Sequence, residues 1–188
     1  NRNRGSSVTS STIASIVFLE HEASSTVEEQ LHKAIKDGGD INEIDRLLLE
    51  LKDPGRPIWK RGQCPLHIAA ARGKCELLKV LINAGFDVNS RDDRAYLFTP
   101  LHWASLSGQP DSIVELLRHG ADLDLQTSVN RETALHIAIR GRKAEAARFL
   151  IEAGANIKIK DLKNISCADL AIELDYTEVI WHMIREKG

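Results

Sequence analysis

The sequence predicts an all-α solenoid in which pairs of helices stack one behind another. A six-residue stretch, Thr-Pro-Leu-His-Trp-Ala, begins at Thr99, and related stretches begin at Cys64 and Thr133. When these and two weaker stretches are aligned, one residue of each falls in the same column, and successive members of the column are 35, 35, 34 and 33 residues apart. The members of that column are His32, His67, His102, His136 and, in the last place, Asp169. A repeat period of this length indicates stacked units that share one continuous core.

Each unit is predicted to be a helix, a turn and a second helix, as the unit at Thr99 illustrates. Pro100 suits the first turn of a helix, because its missing N–H would be unpaired there anyway, and Thr99 is placed to cap that helix. Gly108 ends the first helix, and Gly120 supplies the left-handed residue that closes the second one. The second helix is amphipathic, which predicts that one of its faces is buried.

A period near 33 residues with a Thr-Pro-Leu-His-x-Ala core resembles the ankyrin repeat. The resemblance covers residues 26–187. It implies one ankyrin repeat domain of five helix pairs, with three full repeats between an N-terminal and a C-terminal capping repeat, and with β-hairpin fingers that project between pairs. The full repeats are expected at residues 61–92, 93–126 and 127–159.

The two ends of the domain depart from the pattern, as terminal repeats do when their outer face meets water. Residues 26–60 are predicted to form the N-terminal capping repeat, in which Gly38 and Gly39 break the first helix from the second. Residues 160–187 are predicted to form the C-terminal cap, in which Asp169 replaces the histidine of the column.

Residues 1–25 are predicted to be an N-terminal tail that contains an apolar, β-branched segment at 13–19. One interpretation is that this segment lies on the first repeat and covers its exposed end. The other is that it docks on a partner. Residues 52–63 occupy the place of a β-hairpin finger, although their two prolines do not suit a regular ladder.

Composition excludes several classes of protein. The 188 residues are 43% hydrophobic, enough for a continuous core, and the formal net charge of −2 does not favour nucleic-acid binding. No run of eighteen apolar residues is present, so no membrane span is predicted. Three cysteines without paired spacing favour a reducing compartment, so the expected location is intracellular, cytoplasmic or nuclear or both.

The residues also argue against catalysis and metal binding. The histidines of the column occur once per repeat and would stack about 10 Å apart, so they cannot share an ion. The resemblance implies instead that each imidazole hydrogen-bonds within its repeat and to the next one. Cys64 precedes His67 by three residues but takes the place of the capping threonine. Asp92 and Asp93 are expected to be solvated turn residues. We therefore predict no enzymatic activity, no cofactor and no metal.

The function implied by the resemblance is a non-enzymatic protein–protein interaction module. Its concave surface, formed by fingers and first helices, would bind a partner protein. The alternative is an inhibitor that masks a functional surface of a signalling or transcription-factor partner, since the linker at residues 120–133 is similar in length to one in inhibitors of kappa-B type. Nucleic acid, membranes and small-molecule substrates are not predicted partners.

Large apolar side chains and arginines mark the predicted binding surface. Tyr96, Leu97 and Phe98 are consecutive, so in an extended segment at least one of them must be exposed. Aromatic residues and arginine are typical of interface hot spots, and the cations favour a partner with an acidic segment. The alternatives are that Tyr96 and Phe98 pack between fingers and that the cations form a solvated surface. The predicted partner-binding residues are Trp59, Arg61, Arg91, Tyr96, Leu97, Phe98, Leu106, Arg131 and Arg140.

Asn89 is a candidate for modification. It follows Asp87 and Val88 and lies eight residues after Leu81, and the resemblance implies that an asparagine in this place looks like a substrate for asparaginyl hydroxylation. The alternative is that Asn89 stabilises its turn through bonds from its side chain to the backbone.

Overall fold

The computed structural model describes residue 27 and residues 29–51 and 64–187. The chain divides into two compact units, residues 1–53 and 54–188. The tail segment at 13–19 and the expected finger at 52–63 lie outside the described residues.

The described part of the first unit is a pair of helices, α1 (29–37) and α2 (Ile41–Glu50). Gly38, at a left-handed φ of 77°, separates them. Asp40 caps α2 by accepting the backbone N–H of Asn42 at 3.3 Å. The buried side chains of this pair are Leu31, Ile35, Ile44, Leu47 and Leu48.

The second unit contains four further pairs of helices in its described part, and its helices form two rows. The first helices of successive pairs contact one another, and so do the second helices. The predicted all-α fold is therefore confirmed for the described residues, and the stacking of helix pairs is confirmed within the second unit. The helices are α3 (Pro65–Ala71), α4 (Cys75–Asn83), α5 (Pro100–Ser107), α6 (Pro110–Arg118), α7 (Ala134–Arg140), α8 (Ala144–Glu152), α9 (Cys167–Glu173) and α10 (Thr177–Lys187).

The first helices begin where the motif predicts. Thr99, Thr133 and Ser166 each cap a helix by accepting the backbone N–H of the residue three positions on, and that residue's side chain in turn accepts the N–H of the cap. Cys64 lacks a side-chain bond of this kind to the backbone. Gly108 ends α5 at a φ of 68°.

The connections between pairs are short closed turns. Each is closed by one backbone hydrogen bond, from Asp92 N–H to the Phe98 carbonyl (2.8 Å), from Thr127 to Glu132 (2.9 Å), and from Asp161 to Ile165 (2.9 Å). The enclosed loops shorten along the chain. Within the described residues the only β-bridge joins Lys160 to Ser166, so the predicted β-hairpin fingers are not confirmed. We keep the word finger for these turns.

Candidate interaction surface

A buried carboxylate organises the finger between α4 and α5. The side chain of Asp92 accepts the Phe98 N–H at Oδ1 (2.8 Å) and the Trp103 Nε1–H at Oδ2 (3.0 Å). The side chain therefore ties the end of the finger to the first turns of α5. The expectation that Asp92 is a solvated turn residue was wrong, because two donors of the finger and helix enclose it; Asp93 is exposed.

The same role recurs in the next two fingers. Thr127 accepts the Glu132 N–H at its hydroxyl (3.0 Å), and Asp161 accepts the N–H groups of Lys163 (2.9 Å) and Ile165 (3.0 Å). All three residues are buried. In the sequence each of them is a short polar side chain a few residues before a helix cap, which is also the pattern of an ordinary solvated turn residue.

Phe98 forms the base of the first finger. Its ring stacks on the imidazole of His102 with centroids 5.6 Å apart, and meets Trp103 edge-on at 5.5 Å. The centroid of the Tyr96 ring lies 5.6 Å from that of Phe98, and the guanidinium of Arg94 lies 5.3 Å from the centroid of the Trp103 ring. Phe98 is half-buried in this cluster, so its ring contributes to packing.

Three predicted residues of the finger and the following helix present apolar surface. Tyr96 is 44% exposed, Leu97 36% and Leu106 42%. Leu97 has a left-handed φ of 51°, a conformation that is uncommon for any residue except glycine and asparagine. The backbone N–H of Leu97 donates to the Arg94 carbonyl at 3.0 Å, which closes the turn at the tip.

The left-handed residue is a fixed feature of these fingers. Leu97, Arg131 and Asn164 each lie two positions before the helix cap, with φ values of 51°, 54° and 63°. Asparagine tolerates this conformation through local hydrogen bonding, whereas leucine and arginine have no such reason to occupy it. The side chains of Leu97 and Arg131 are therefore placed at the finger tips at a conformational cost.

Adjacent finger tips are joined by hydrogen bonds. Ser128 donates its N–H to the Tyr96 carbonyl (2.9 Å) and its hydroxyl to the Ala95 carbonyl (2.7 Å). Arg91 donates to the carbonyls of Leu97 (3.3 Å) and Gln126 (3.0 Å). Arg91 thus links two fingers, while its side chain remains on the exposed side of the finger.

Arg140 lies in an ion-pair network. Its Nε donates to Glu132 and its Nη2 donates to Asp161 at 2.7 Å, and both carboxylates are buried. Burial by itself raises the pKa of Asp161, but the backbone N–H groups of Ile165 and Lys163 and the Arg140 guanidinium hold that pKa below its usual range. The charge of Arg140 is therefore balanced by two partners within the array.

Two of the predicted binding residues, Trp59 and Arg61, lie outside the described residues. Asn89 bridges two successive turns. Its Nδ2 donates to the Gly120 carbonyl at 3.3 Å, its Oδ1 accepts the Asp122 N–H at 2.9 Å, and its own N–H donates to Asp87 at 2.9 Å. These are the side-chain-to-backbone bonds of the alternative interpretation. Hydroxylation of Asn89 stays a prediction.

The histidines of α5 and α7 hold each finger against the following one. The Nδ1 of His102 accepts the N–H (3.1 Å) and hydroxyl (2.7 Å) of Thr99, while its Nε2–H donates to the Glu132 carbonyl (3.3 Å). His136 repeats this with Thr133 and with the Ile165 carbonyl at 3.2 Å. Burial lowers the pKa of His102 to about 4. The hydrogen bonds of His102 and His136 are those that the resemblance implies, within the repeat and to the next one.

His67 differs because its cap is a thiol. The Nδ1 of His67 lies 2.9 Å from the Cys64 sulfur, and its Nε2–H donates to the carbonyls of Ser90 (3.1 Å) and Phe98 (3.0 Å). Burial acts to lower the pKa of His67, but its hydrogen bond with Cys64 raises that pKa on balance. Burial of the Cys64 thiol acts to raise its pKa, but the hydrogen bond with His67 lowers that pKa on balance. The three cysteines of the chain, Cys64, Cys75 and Cys167, are free.

In the part of the chain that the structure describes, no three His, Cys, Asp or Glu side chains converge as a metal site requires. None of the described helices has both the length and the apolar character needed to cross a membrane.

The chain belongs to the ankyrin repeat family. A family model for ankyrin repeats in three copies matches residues 31–127 and 106–188, which together make up most of the chain. Ankyrin repeats indicate a protein–protein interaction module, and the family is generally non-enzymatic. This agrees with the stacked helix pairs and with histidines that join one pair to the next.

Several relatives combine such repeats with other sequence. The chain is 37% identical over 116 residues to ankyrin repeat and SOCS box protein 5 of Oryctolagus cuniculus, covering 62% of this chain and 34% of that protein. It is 30% identical over 157 residues to a transient receptor potential cation channel subfamily A member 1 homologue of Caenorhabditis elegans, covering 81% and 12%. It is 35% identical over 86 residues to protein phosphatase 1 regulatory subunit 27 of Homo sapiens, covering 46% and 54%. The chain thus spans less than two thirds of each of these relatives.

Proposed function

We propose that the chain binds a partner protein through the tips of its fingers and the exposed side of α5. The tip surface, as we use the term, consists of Tyr96, Leu97, Leu106 and Arg131. The observation that carries the proposal is the left-handed conformation of Leu97 and Arg131. In two neighbouring fingers an apolar and a cationic side chain occupy this position. The third finger has Asn164 there, and asparagine tolerates the left-handed conformation.

The remaining predicted residues take different places in this proposal. Phe98 and Arg91 support the tip surface, Phe98 through its packing on α5 and Arg91 through its bonds to two fingers. Arg140 stabilises the array through Glu132 and Asp161. Trp59 and Arg61 stay as proposed contacts on the preceding connection.

The chemistry of the tip surface defines a partner with an apolar anchor and an acidic flank. Tyr96 and Leu97 offer adjacent apolar contact area, and an aromatic side chain that loses little rotamer freedom suits a hot spot. Arg131 is exposed on the next finger along the chain. Its planar guanidinium is suited to pair with a carboxylate of the partner. A rigid tip, held by Ser128 and Arg91, lowers the ordering cost of binding.

We further propose that the helix pairs are five ankyrin repeats with boundaries at 26–60, 61–92, 93–126, 127–159 and 160–187, working in an intracellular, reducing setting. In the inhibitor alternative the chain binds its partner through the same surface, and binding also blocks a functional surface of that partner. This alternative is tested in the same experiment by asking whether the chain lowers the partner's own activity.

The test compares variants that change the tip surface without touching the core. Partners are enriched from cell extract with the tagged chain, identified by mass spectrometry, purified, and titrated by calorimetry. We expect Tyr96→Ala to weaken binding by more than ~2 kcal/mol. We expect Leu97→Asn to weaken it as well, while relieving the strained backbone as Asn164 does. Melting temperatures should stay at or above that of the parent.

Leu49→Asn is the matched control, because Leu49 is a highly exposed leucine of the first unit, and its replacement should leave affinity unchanged. Retained affinity in both tip variants would contradict the proposal. So would a Tyr96→Ala variant that melts early but still binds, because Tyr96 would then be a packing residue.

A further inference from the structure

The last described helix pair, α9 and α10, carries exposed apolar residues on one face. Ile172 of α9 is 65% exposed, and Trp181 and Ile184 of α10 are 72% and 61% exposed. We call these three residues the outer face. Terminal repeats of a solenoid carry polar residues on their outside, and a cluster of exposed apolar side chains marks an interaction site. The outer face therefore does not have the composition of a cap.

The preceding pairs show what covers this face. Ile172 corresponds in the repeat to Ile139 of α7, Ser105 of α5 and Ala70 of α3, and each of these is fully buried. Every one of these helices is packed against the first helix of the following pair. The position is buried wherever a further pair follows.

The second helices show the contrast in part, because the equivalents of Ile184 in α6 and α4, Leu117 and Ile82, are half-buried although a further pair follows them. Ile184 corresponds to Ile151 of α8, which is buried, and Ile180 to Ala147, which is also buried, whereas Ile180 itself is only half-buried. Trp181 corresponds to Arg148, which is half-buried. Since α8 packs on α10, the difference in exposure identifies the side of α10 on which a following helix would lie.

The turn between the two helices of a pair also contacts the following pair. Arg142, in the turn after α7, donates to the Leu174 carbonyl at 2.9 Å and lies 5.4 Å over the ring of Tyr176. Earlier in the array, Gly108 lies against the side chain of Lys143. The stacking interface therefore runs without a break as far as α9 and α10.

We propose that the outer face is a stacking surface for one further helix pair of the same repeat type, joined in register behind α10. Its first helix packs on Ile172 and its second on Trp181 and Ile184, in the way that α9 and α10 pack on α7 and α8. Residues 160–187 are then an internal repeat. Asp169 places a requirement on the added pair, because a carboxylate only accepts hydrogen bonds. His102 and His136 each donate to a backbone carbonyl of the following finger. The finger of the added pair must instead present an N–H or a cation to Asp169.

The test extends the chain with the segment that already covers the equivalent face of α7 and α8. Residues 155–187 are repeated once after Lys187, and the copy carries Ile172→Gln, Trp181→Gln and Ile184→Gln so that the array ends on a polar face. The first Asp169 is changed to His, because the copied finger offers the Ile165 carbonyl. The fluorescence of the original Trp181 is obtained by subtracting the emission of an otherwise identical chain that carries Trp181→Phe.

We expect the emission of Trp181 to shift to shorter wavelength and its quenching by iodide to fall severalfold on extension, because its ring becomes covered. Ile172→Glu with Ile184→Glu in the original unit should restore the quenching of the unextended chain. Leu49→Glu, on the first unit, should not. Circular dichroism checks that each variant is folded.

Three results would overturn the proposal. The first is unchanged Trp181 quenching in the extended chain, with no hydrogen-exchange protection in the added residues. The second is a dimer of the 188-residue chain that Ile172→Glu dissociates in sedimentation equilibrium, which would make a second copy the occupant. The third is higher quenching of Trp181 when residues 1–25 are deleted, which would make the tail the occupant.

Discussion

The starts of α5 and α9 share a local design but differ in what they do for the array. At α5, the His102 ring accepts the N–H of Thr99 at 3.1 Å and its hydroxyl at 2.7 Å. At α9, the Asp169 carboxylate accepts the N–H of Ser166 at 3.3 Å and its hydroxyl at 2.7 Å. Only His102 has a second group, Nε2–H, which reaches the Glu132 carbonyl of the following finger.

The comparison separates two functions of the repeat histidine. The local one needs an acceptor at the third position of the helix, and a carboxylate serves as well as an imidazole. The other one joins two repeats and needs a donor on the opposite side of the same ring. His102 is buried and Asp169 is exposed, so the second function is present where a finger covers the ring and absent where none does.

The largest expected effect that tests this comparison is on the pH dependence of the unfolding free energy. His102 is neutral in the fold, with a pKa of about 4, whereas an unfolded histidine has a pKa of about 6.5. As pH falls from 6.5 towards 4, the unfolded state takes up a proton that the folded state does not. The contribution of His102 is therefore complete above about pH 6.5, and a loss on the order of 3 kcal/mol is expected by pH 4.

Urea melts of the parent and of His102→Gln at several pH values measure this loss as the difference between the two curves. The difference is needed because His67 works in the opposite direction: its raised pKa contributes stability below about pH 6.5 that is lost as pH rises through its folded pKa. Parallel curves for the two proteins would show that His102 titrates normally and is not sealed by the next finger.

The next effect in size is the loss of the His102 side chain at neutral pH. His102→Ala leaves the Thr99 N–H and the Glu132 carbonyl without their partner in a buried site, and we expect it to cost about 1–3 kcal/mol of unfolding free energy. Equilibrium urea denaturation at pH 7 measures the change. Asp169→Ala is the matched variant at the exposed start of α9, and it should shift the urea midpoint much less. Equal shifts would show that the histidine acts only as a local cap.

The local half of this arrangement could be predicted from the sequence. Thr99, Pro100 and Gly108 define the start and end of α5 through conformational preferences that need no tertiary information. The spacing of the column then identified the family and the stacked pairs. The hydrogen bonds of His102 to its own repeat and to the next one were also expected, because the family resemblance implies them for each histidine of the column.

Features that depend on the path of the fingers could not be predicted. Asp92 looked like a turn residue, and only the folded finger brings two donors to it. Arg140 looked like part of a cationic surface, yet Glu132 and Asp161 come from two different fingers to pair with it. The left-handed φ of Leu97 could not be predicted either, because leucine has no preference for that conformation. Each of these depends on loop geometry, for which residue type is a weak guide.

The smallest expected effect is that of Asp169→His in the 188-residue chain. A histidine there can accept both bonds from Ser166 through Nδ1, as His102 does from Thr99, so the local cap is kept. Its Nε2–H, however, would meet water. The favourable interaction of the Asp169 charge with the start of α9 is lost, but salt screens that interaction. We therefore expect no measurable shift of the urea midpoint at high salt and pH 8. A clear gain in stability would mean that the histidine is the better local cap in itself. The difference between the starts of α5 and α9 would then reflect cap strength rather than the presence of a following finger.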